Sequence, residues 1–199
     1  MGNSIILASG SPRRKELLRM AGVTFRVVSP DVNEEPLLRE DPAAMVRRLA
    51  KEKARAVHER LGLKSGTRII IAADTTVVNA EGKILGKPVS RAEAVRMLAS
   101  LQGRDHFVFT GYAILVGDSG RIASSVSRVV KTRVRIRKMG SRDLHRYVSL
   151  GESFDKAGAY AAQGFGMSMI EKIHGSYTNV VGLPMAQLLE DLRKLGWRP

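Results

Sequence analysis

The sequence contains no cysteine, which excludes disulfides and thiolate metal sites. Aromatic residues make up only 5% of the 199-residue chain. That argues against the stacking platforms that hold single-stranded nucleic acid, and neither zinc-finger spacing nor an RNA-recognition aromatic motif occurs. No apolar run approaches the roughly 18 residues of a membrane span. The first residues lack the basic start and long apolar core of a signal peptide, so a soluble cytoplasmic protein is expected. Acidic side chains are the other scarce class: 19 Asp and Glu stand against 33 Lys and Arg, for a net charge of +14 and a pI near 10.6. Such an excess suits an anionic partner, whether nucleic acid, a membrane surface or a polyphosphate. It is spread along the chain without a basic tail, as a solvated surface also is. Hydrophobic content of 44% supports a real core, and the length allows one large domain or two small lobes around a cleft.

The stretch from Ile5 to Leu18 is the densest in information. Ile5 to Ala8 reads as a buried strand. Gly10 permits a sharp turn, Ser11 suits an N-cap, and Pro12 suits the first helical position. A helix start of this kind offers free N–H groups to an anion, and here it also carries Ser9, Ser11, Arg13, Arg14 and Lys15. An ordinary capped surface helix with solvated arginines fits the same spacing.

Further on, Thr24 to Val28 is a short strand and Ser29 to Glu40 a polar, proline-punctuated loop with Asp31, Glu34 and Glu35. Asp41-Pro42 opens a helix, Ala43 to Leu61, closed by Gly62. Lys53 lies four residues after Leu49 and four before Val57, beside the apolar stripe, where its stem can pack while its ammonium reaches inward. Thr67 to Ala73 reads as a central strand covered on both faces, stopping at Asp74-Thr75-Thr76, after which Val77 and Val78 continue extended. A carboxylate at a strand's carboxyl end is placed for general-base or metal work, or simply caps a turn. Ser90-Arg91-Ala92-Glu93 forms a capping box for a helix to about Leu101. His106 to Val116 and Ile122 to Val134 read as antiparallel strands. Ser141 to Leu150 reads as a helix, Met167 to Ile173 as a strand, and Met185 to Leu195 as a last helix. From Arg121 to Arg146 there are nine Lys and Arg against the single acid Asp143, a pattern that suits a nucleic-acid surface or a strand edge guarded against pairing.

Ser9-Gly10-Ser11-Pro12-Arg13-Arg14-x-Glu16-Leu17-Leu18 resembles the opening motif of the Maf family of nucleoside triphosphate pyrophosphatases. Further pieces resemble that family in order along nearly the whole chain. They are Ser29-Pro30-Asp31-Val32-Asn33-Glu34, Arg48-Leu49-Ala50-x-x-Lys53-Ala54, Ala73-Asp74-Thr75, Gly86-Lys87-Pro88, Thr110-Gly111, Asp155-Lys156-Ala157-Gly158-Ala159-Tyr160, and Ile173-x-Gly175-Ser176-x-x-Asn179-Val180-Val181-Gly182-Leu183-Pro184. One departure is Asn33, where many members carry an acid. It bears on how many carboxylates the loop brings to a metal.

The resemblance implies a single domain over residues 1–199. Its fold class is α/β, a mixed twisted sheet with flanking helices in two lobes around a deep substrate cleft, usually as a homodimer. It implies hydrolysis of a nucleoside triphosphate to the monophosphate and pyrophosphate, assisted by Mg²⁺ or Mn²⁺, with no need for nucleic acid or membrane. Asp74 is then the expected general base, activating water for attack on the α-phosphorus. Glu34, with Asp74, is the expected metal-holding carboxylate, and Ser9, Arg14, Lys53 and Lys87 are the expected phosphate binders. Arg13, Thr75 and Gln163 resemble the subgroup acting on dTTP and UTP. A glutamine amide offers one donor and one acceptor, matching N3–H and O4 of thymine or uracil. A basic nucleic-acid-binding or cell-division regulatory protein, and a pyrophosphatase preferring purine or modified purine nucleotides, remain as alternatives.

Overall fold

The computed structural model describes residues 4–62 and 67–198. Seven strands form one mixed sheet: β1 (Ser4–Ala8), β2 (Phe25–Val27), β3 (Thr67–Val78), β4 (Ile84–Leu85), β5 (Asp105–Asp118), β6 (Arg121–Ile136) and β7 (Ile170–His174). The hydrogen-bonded order is β2-β1-β3-β5-β6-β7, with β4 paired to β3. The helices are α1 (Pro12–Met20), α2 (Pro42–Leu61), α3 (Arg91–Leu101), α4 (Ser141–Ser149), α5 (Tyr177–Val181) and α6 (Met185–Lys194). This is the mixed α/β class expected from the sequence.

The chain divides into two compact units. One holds the described residues of Met1–Asp74, Thr110–Val130 and Gly182–Pro199; the other holds Thr75–Phe109 and Lys131–Val181. In the first unit β1 runs parallel to both β2 and β3, with Ile5 opposite Phe25 and Ile69. Parallel strands covered on both faces carry continuous apolar runs, and Ile5 to Ala8 and Ile69 to Ala73 are buried throughout. Helix α2 begins where the Asp41 carboxylate accepts from the N–H groups of Ala43 (2.9 Å) and Ala44 (3.0 Å), and ends at Gly62 in the left-handed region (φ 51°). Its Ala50, Ala54 and Val57 pack with Ile6, Ala8, Ile70, Ala72, Ala113 and Leu115.

The alanines let this helix lie close to the sheet, and Gly111 on β5 takes the approach to its limit. A methyl group at Gly111 would lie 2.3 Å from the Val46 carbonyl oxygen. That atom is helix backbone and cannot swing aside. Gly111→Ala is therefore expected to cost about 3 kcal/mol, the upper end of overpacking effects. The melting temperature should fall by roughly 6–12 °C for a chain of this size. A calorimetric transition within about 2 °C of wild type would contradict the packing argument.

In the second unit Leu98 and Leu101 of α3, Leu144, Tyr147 and Val148 of α4, and Val134 and Ile136 of β6 share a core with Tyr160 and Met169. β7 pairs antiparallel with β6, Val134 opposite Ile173, with an irregularity between Arg135 and Ile136. His106 is fully buried, with Nε2 2.7 Å from the Tyr160 hydroxyl, and burial pulls its pKa down to about 4.

The structure departs from the sequence reading in four places. β3 is not interrupted at Asp74-Thr75-Thr76 but runs through them into Val77 and Val78, extended as expected, which pair with Leu85 and Ile84. The strand expected from Met167 begins only at Ile170; a 3-10 turn occupies Gly164–Met169. There the Glu152 carboxylate accepts from the N–H groups of Phe165 (3.0 Å) and Gly166 (3.2 Å), which draws the chain out of extension. A short helix, α5, precedes α6, with the Ser176 hydroxyl accepting from Asn179 N–H (3.2 Å). Finally, Ser11 occupies the N-cap of α1 but makes no side-chain cap bond; its own N–H donates to Ser9 Oγ instead.

Candidate active site

Five of the residues singled out in the sequence converge within the first unit. β1 delivers Ser9 at its carboxyl end, and Ser9 is buried. Its Oγ accepts from Ser11 N–H (3.2 Å) and from Arg14 Nη1 (3.1 Å). Arg14, in the first turns of α1, also donates from Nε to the Gly182 carbonyl (2.8 Å). Two anchors therefore set the orientation of its guanidinium. One is the strand end beside it and the other is the start of the glycine–leucine–proline stretch before α6.

Lys53 on α2 is only 4% exposed, and Asp74 on β3 only 7%. A buried charge is costly unless it is paired and hydrogen-bonded. Lys53 Nζ donates to Asp74 Oδ1 at 2.7 Å and meets Glu34 Oε1 at 2.8 Å. Glu34 comes from the irregular segment between β2 and α2, and its side chain is half exposed. Two carboxylates from distant parts of the chain thus share one ammonium.

The arginine belongs to the same electrostatic cluster. Burial lowers the Arg14 pKa, Asp74 opposes that, Arg13 lowers it further, and Glu34 opposes it. An arginine stays charged through such a shift, so the cluster holds two fixed cations, Arg14 and Lys53, against two carboxylates. Arg13, half-buried, adds a third positive charge beside Arg14.

The remaining candidates belong to the second unit. Thr75 follows Asp74 directly on β3 and is half-buried. Lys87 is exposed, one residue after Gly86, whose carbonyl accepts from Gly158 N–H (3.0 Å). That bond sets Lys87 beside the tight turn at Ala157–Ala159. Gly158 there has φ 70°, and a side chain at it would press on Val77 at 2.9 Å. Gln163 is half-buried and extended (φ −119°, ψ 173°), at the mouth of the 3-10 turn.

Arg48 and Glu40 were not given a role from the sequence, and the structure makes them a hub. Arg48 donates to both oxygens of Glu40 at 2.7 Å and to Glu52 at 3.1 Å. The Arg48–Glu52 pair is readable as an i,i+4 pair on a helix. The Glu40 partner lies outside the helix, where no periodicity points to it.

The chain matches the family model described as Maf-like protein over residues 4–195. It belongs to the Maf family. The sequence is 48% identical over 194 residues to the dTTP/UTP pyrophosphatase of Citrifermentans bemidjiense, covering 98% of this chain and 96% of that one. It is 47% identical over 192 residues to the protein of the same name from Geobacter sulfurreducens, covering 96% of each. It is 43% identical over 198 residues to that from Dictyoglomus thermophilum, covering 99% of this chain and 98% of that one. Among the described residues of this Maf-family chain, no helix is long and apolar enough to cross a membrane, and no group of three or more His, Asp or Glu is placed to hold a metal ion.

Proposed function

We propose that this Maf-family protein is a nucleoside triphosphate pyrophosphatase that hydrolyses dTTP and UTP to the monophosphate and pyrophosphate. The observation that carries this reading is the buried Lys53 ammonium shared by Asp74 and Glu34, beside the anchored Arg14–Ser9 pair. Relatives of this length and identity named dTTP/UTP pyrophosphatase support the substrate class.

In this reading Asp74 accepts the proton of the attacking water. The water oxygen bonds to the α-phosphorus, the bond from that phosphorus to the α–β bridging oxygen breaks, and pyrophosphate leaves with the electron pair. Lys53 holds the Asp74 carboxylate in place. Two of the ammonium's donors go to carboxylates, and the third can meet a phosphate oxygen. Ser9 Oγ already accepts two hydrogen bonds. Its O–H can therefore act towards substrate only as a donor, the polarity an anionic oxygen needs. Arg14 and Lys87 offset charge on the leaving pyrophosphate. Arg13, Thr75 and Gln163 select the base.

A divalent cation fits the donor set. Two carboxylates within reach of one ammonium are hard oxygen ligands, and Mg²⁺ needs only one or two of these beside waters and substrate phosphates. Asp74 and Glu34 would hold it, and it would supply Lewis-acid neutralisation of the triphosphate. The same reading takes the protein as a cytoplasmic homodimer, on the family resemblance alone.

Four of the nine cations in the basic segment that suggested nucleic acid meet partners within the chain. Arg128 pairs with Asp191, Arg133 and Arg135 with Asp105, and Arg135 also with Glu171. Lys131 lies 3.9 Å from the centre of the Phe107 ring. The test is product analysis with dTTP, UTP, dCTP and GTP in Mg²⁺ or Mn²⁺. Monophosphate and pyrophosphate should form from dTTP and UTP, with dCTP and GTP poor. Preference for a purine nucleotide would overturn the substrate assignment. Failure of every nucleotide, with salt-sensitive binding to nucleic acid, would overturn the enzyme.

A further inference from the structure

Glu34 poses a physical problem. It sits in a segment without regular structure, its side chain is 53% exposed, and yet it ends on a nearly buried ammonium. A long side chain on an untethered loop loses rotamer and backbone freedom to make such a pair, and exposed ion pairs rarely compensate for that. The segment is not untethered. Arg48 Nε and Nη2 grip Glu40 Oε1 and Oε2 at 2.7 Å each, a planar two-point fork. Arg48 Nη2 also donates to the Glu35 carbonyl at 3.2 Å, the residue directly after Glu34. Glu40 Oε2 in turn accepts from Leu37 N–H at 3.0 Å. On the other side of Glu34, Asn33 Oδ1 accepts from Glu35 N–H at 3.0 Å. Glu34 is thus bracketed by a side-chain-closed turn and by a carbonyl held to α2, the helix that also carries Lys53.

We propose that Arg48 is a positioning residue that staples the segment from Asn33 to Glu40 onto α2, delivering Glu34 to Lys53 and Asp74, and that Asn33 serves as the turn former of that segment. An arginine is the residue for this task, because only its fork can hold a carboxylate at two points and a carbonyl as well. Arg48 holds the Glu40 carboxyl below its ordinary range, chiefly through their hydrogen bond, so the fork persists at neutral pH. The turn at Asn33 needs only a side-chain oxygen two residues before the receiving N–H. An aspartate would supply that oxygen as well as an asparagine does. The consequence for metal binding rests on the function proposed above; the staple itself does not.

The test combines hydrogen exchange of the segment with Mn²⁺ binding followed by electron paramagnetic resonance. It uses wild type, Arg48→Met, Arg48→Lys, Glu40→Gln, Glu34→Gln and the double variant Arg48→Met with Glu34→Gln. Arg48→Met should raise exchange at the Glu35 and Leu37 amides by about tenfold or more, as local opening does when a tether is lost. Arg48→Lys, which keeps the charge but loses the fork, should fall between. Should Arg48→Met fail to fold, Glu40→Gln weakens the same fork from the loop side and leaves α2 intact. Mn²⁺ affinity should fall by about tenfold in Arg48→Met, and no further in the double variant than in Glu34→Gln, because groups acting through one another are not additive. Unchanged exchange, or additive losses of Mn²⁺ affinity, overturns the staple. Raised exchange in Arg48→Met, in a protein whose wild type neither binds Mn²⁺ nor releases pyrophosphate, sustains the staple and overturns the functional reading instead.

Discussion

Asp74→Asn is expected to lower kcat for UTP by ~10²-fold or more, the scale of losing a positioned general base, with KM changed far less. The amide matches the carboxylate in shape and keeps an oxygen for Lys53, so the fold survives. It cannot take a proton from water. The 2.7 Å contact from Lys53 becomes a hydrogen bond to a neutral acceptor, and Glu34 remains as the anionic partner of that ammonium. Weakening this buried bond should cost about 1–3 kcal/mol, so the melting temperature should fall by several degrees. Activity must then be measured well below the transition. Turnover near wild type would remove Asp74 from the proton-accepting role. A loss expressed mainly in KM would instead make it a binding residue.

Gln163→Glu is expected to change which base is accepted more than it changes stability. The Gln163 backbone is fixed on its far side. Gly164 stands at φ 61°, where a side chain would meet the Glu152 carboxylate at 2.6 Å, and the Glu152 carboxylate ties down the next two N–H groups. On its near side, Ala161 N–H donates to the buried Tyr147 hydroxyl at 3.1 Å. A half-buried side chain held on so fixed a strip suits reading a base edge. Glutamine offers a donor to O4 and an acceptor to N3–H of uracil, whereas a glutamate only accepts. The kcat/KM for UTP should fall by ~10²- to 10⁴-fold, the range set by an unpaired polar group in a site built for hydrogen bonding. The donor-rich edge of guanine should lose much less. Unchanged selectivity for UTP over CTP and GTP would overturn the base-reading role of Gln163 and leave the enzyme class standing.

What could be seen in the sequence, and what could not, follows the range of the forces involved. Local signals were legible. Asp41-Pro42 and Gly62 bracket α2 because capping and left-handed turns depend on a few adjacent residues. The apolar runs at Ile5 and Ile69 mark the parallel centre of the sheet. From the sequence alone Asp74 stands at the carboxyl end of its strand, and a buried carboxylate within a strand is costly unless paired. What allows the strand to continue is an ammonium twenty-one residues earlier. The turn at Gly164–Met169 hid for the same reason, because its N–H partners come from Glu152. Three cations of the basic run from Arg121 meet acids remote in sequence, Asp105, Glu171 and Asp191, which no local pattern shows. Ser9, Arg14, Glu34, Lys53 and Asp74 could be named from motif order. Their convergence on one ammonium, and the Arg48 hub beside it, could not.

The central claim is that water attacks the α-phosphorus, and the most direct measurement is the fate of the oxygen it brings. UTP is turned over in water enriched in heavy oxygen, and the products are weighed by mass spectrometry. The account predicts one heavy oxygen in the phosphate of UMP and none in the pyrophosphate. Label in the pyrophosphate, or orthophosphate as the released product, would place the attack on another phosphorus and contradict it.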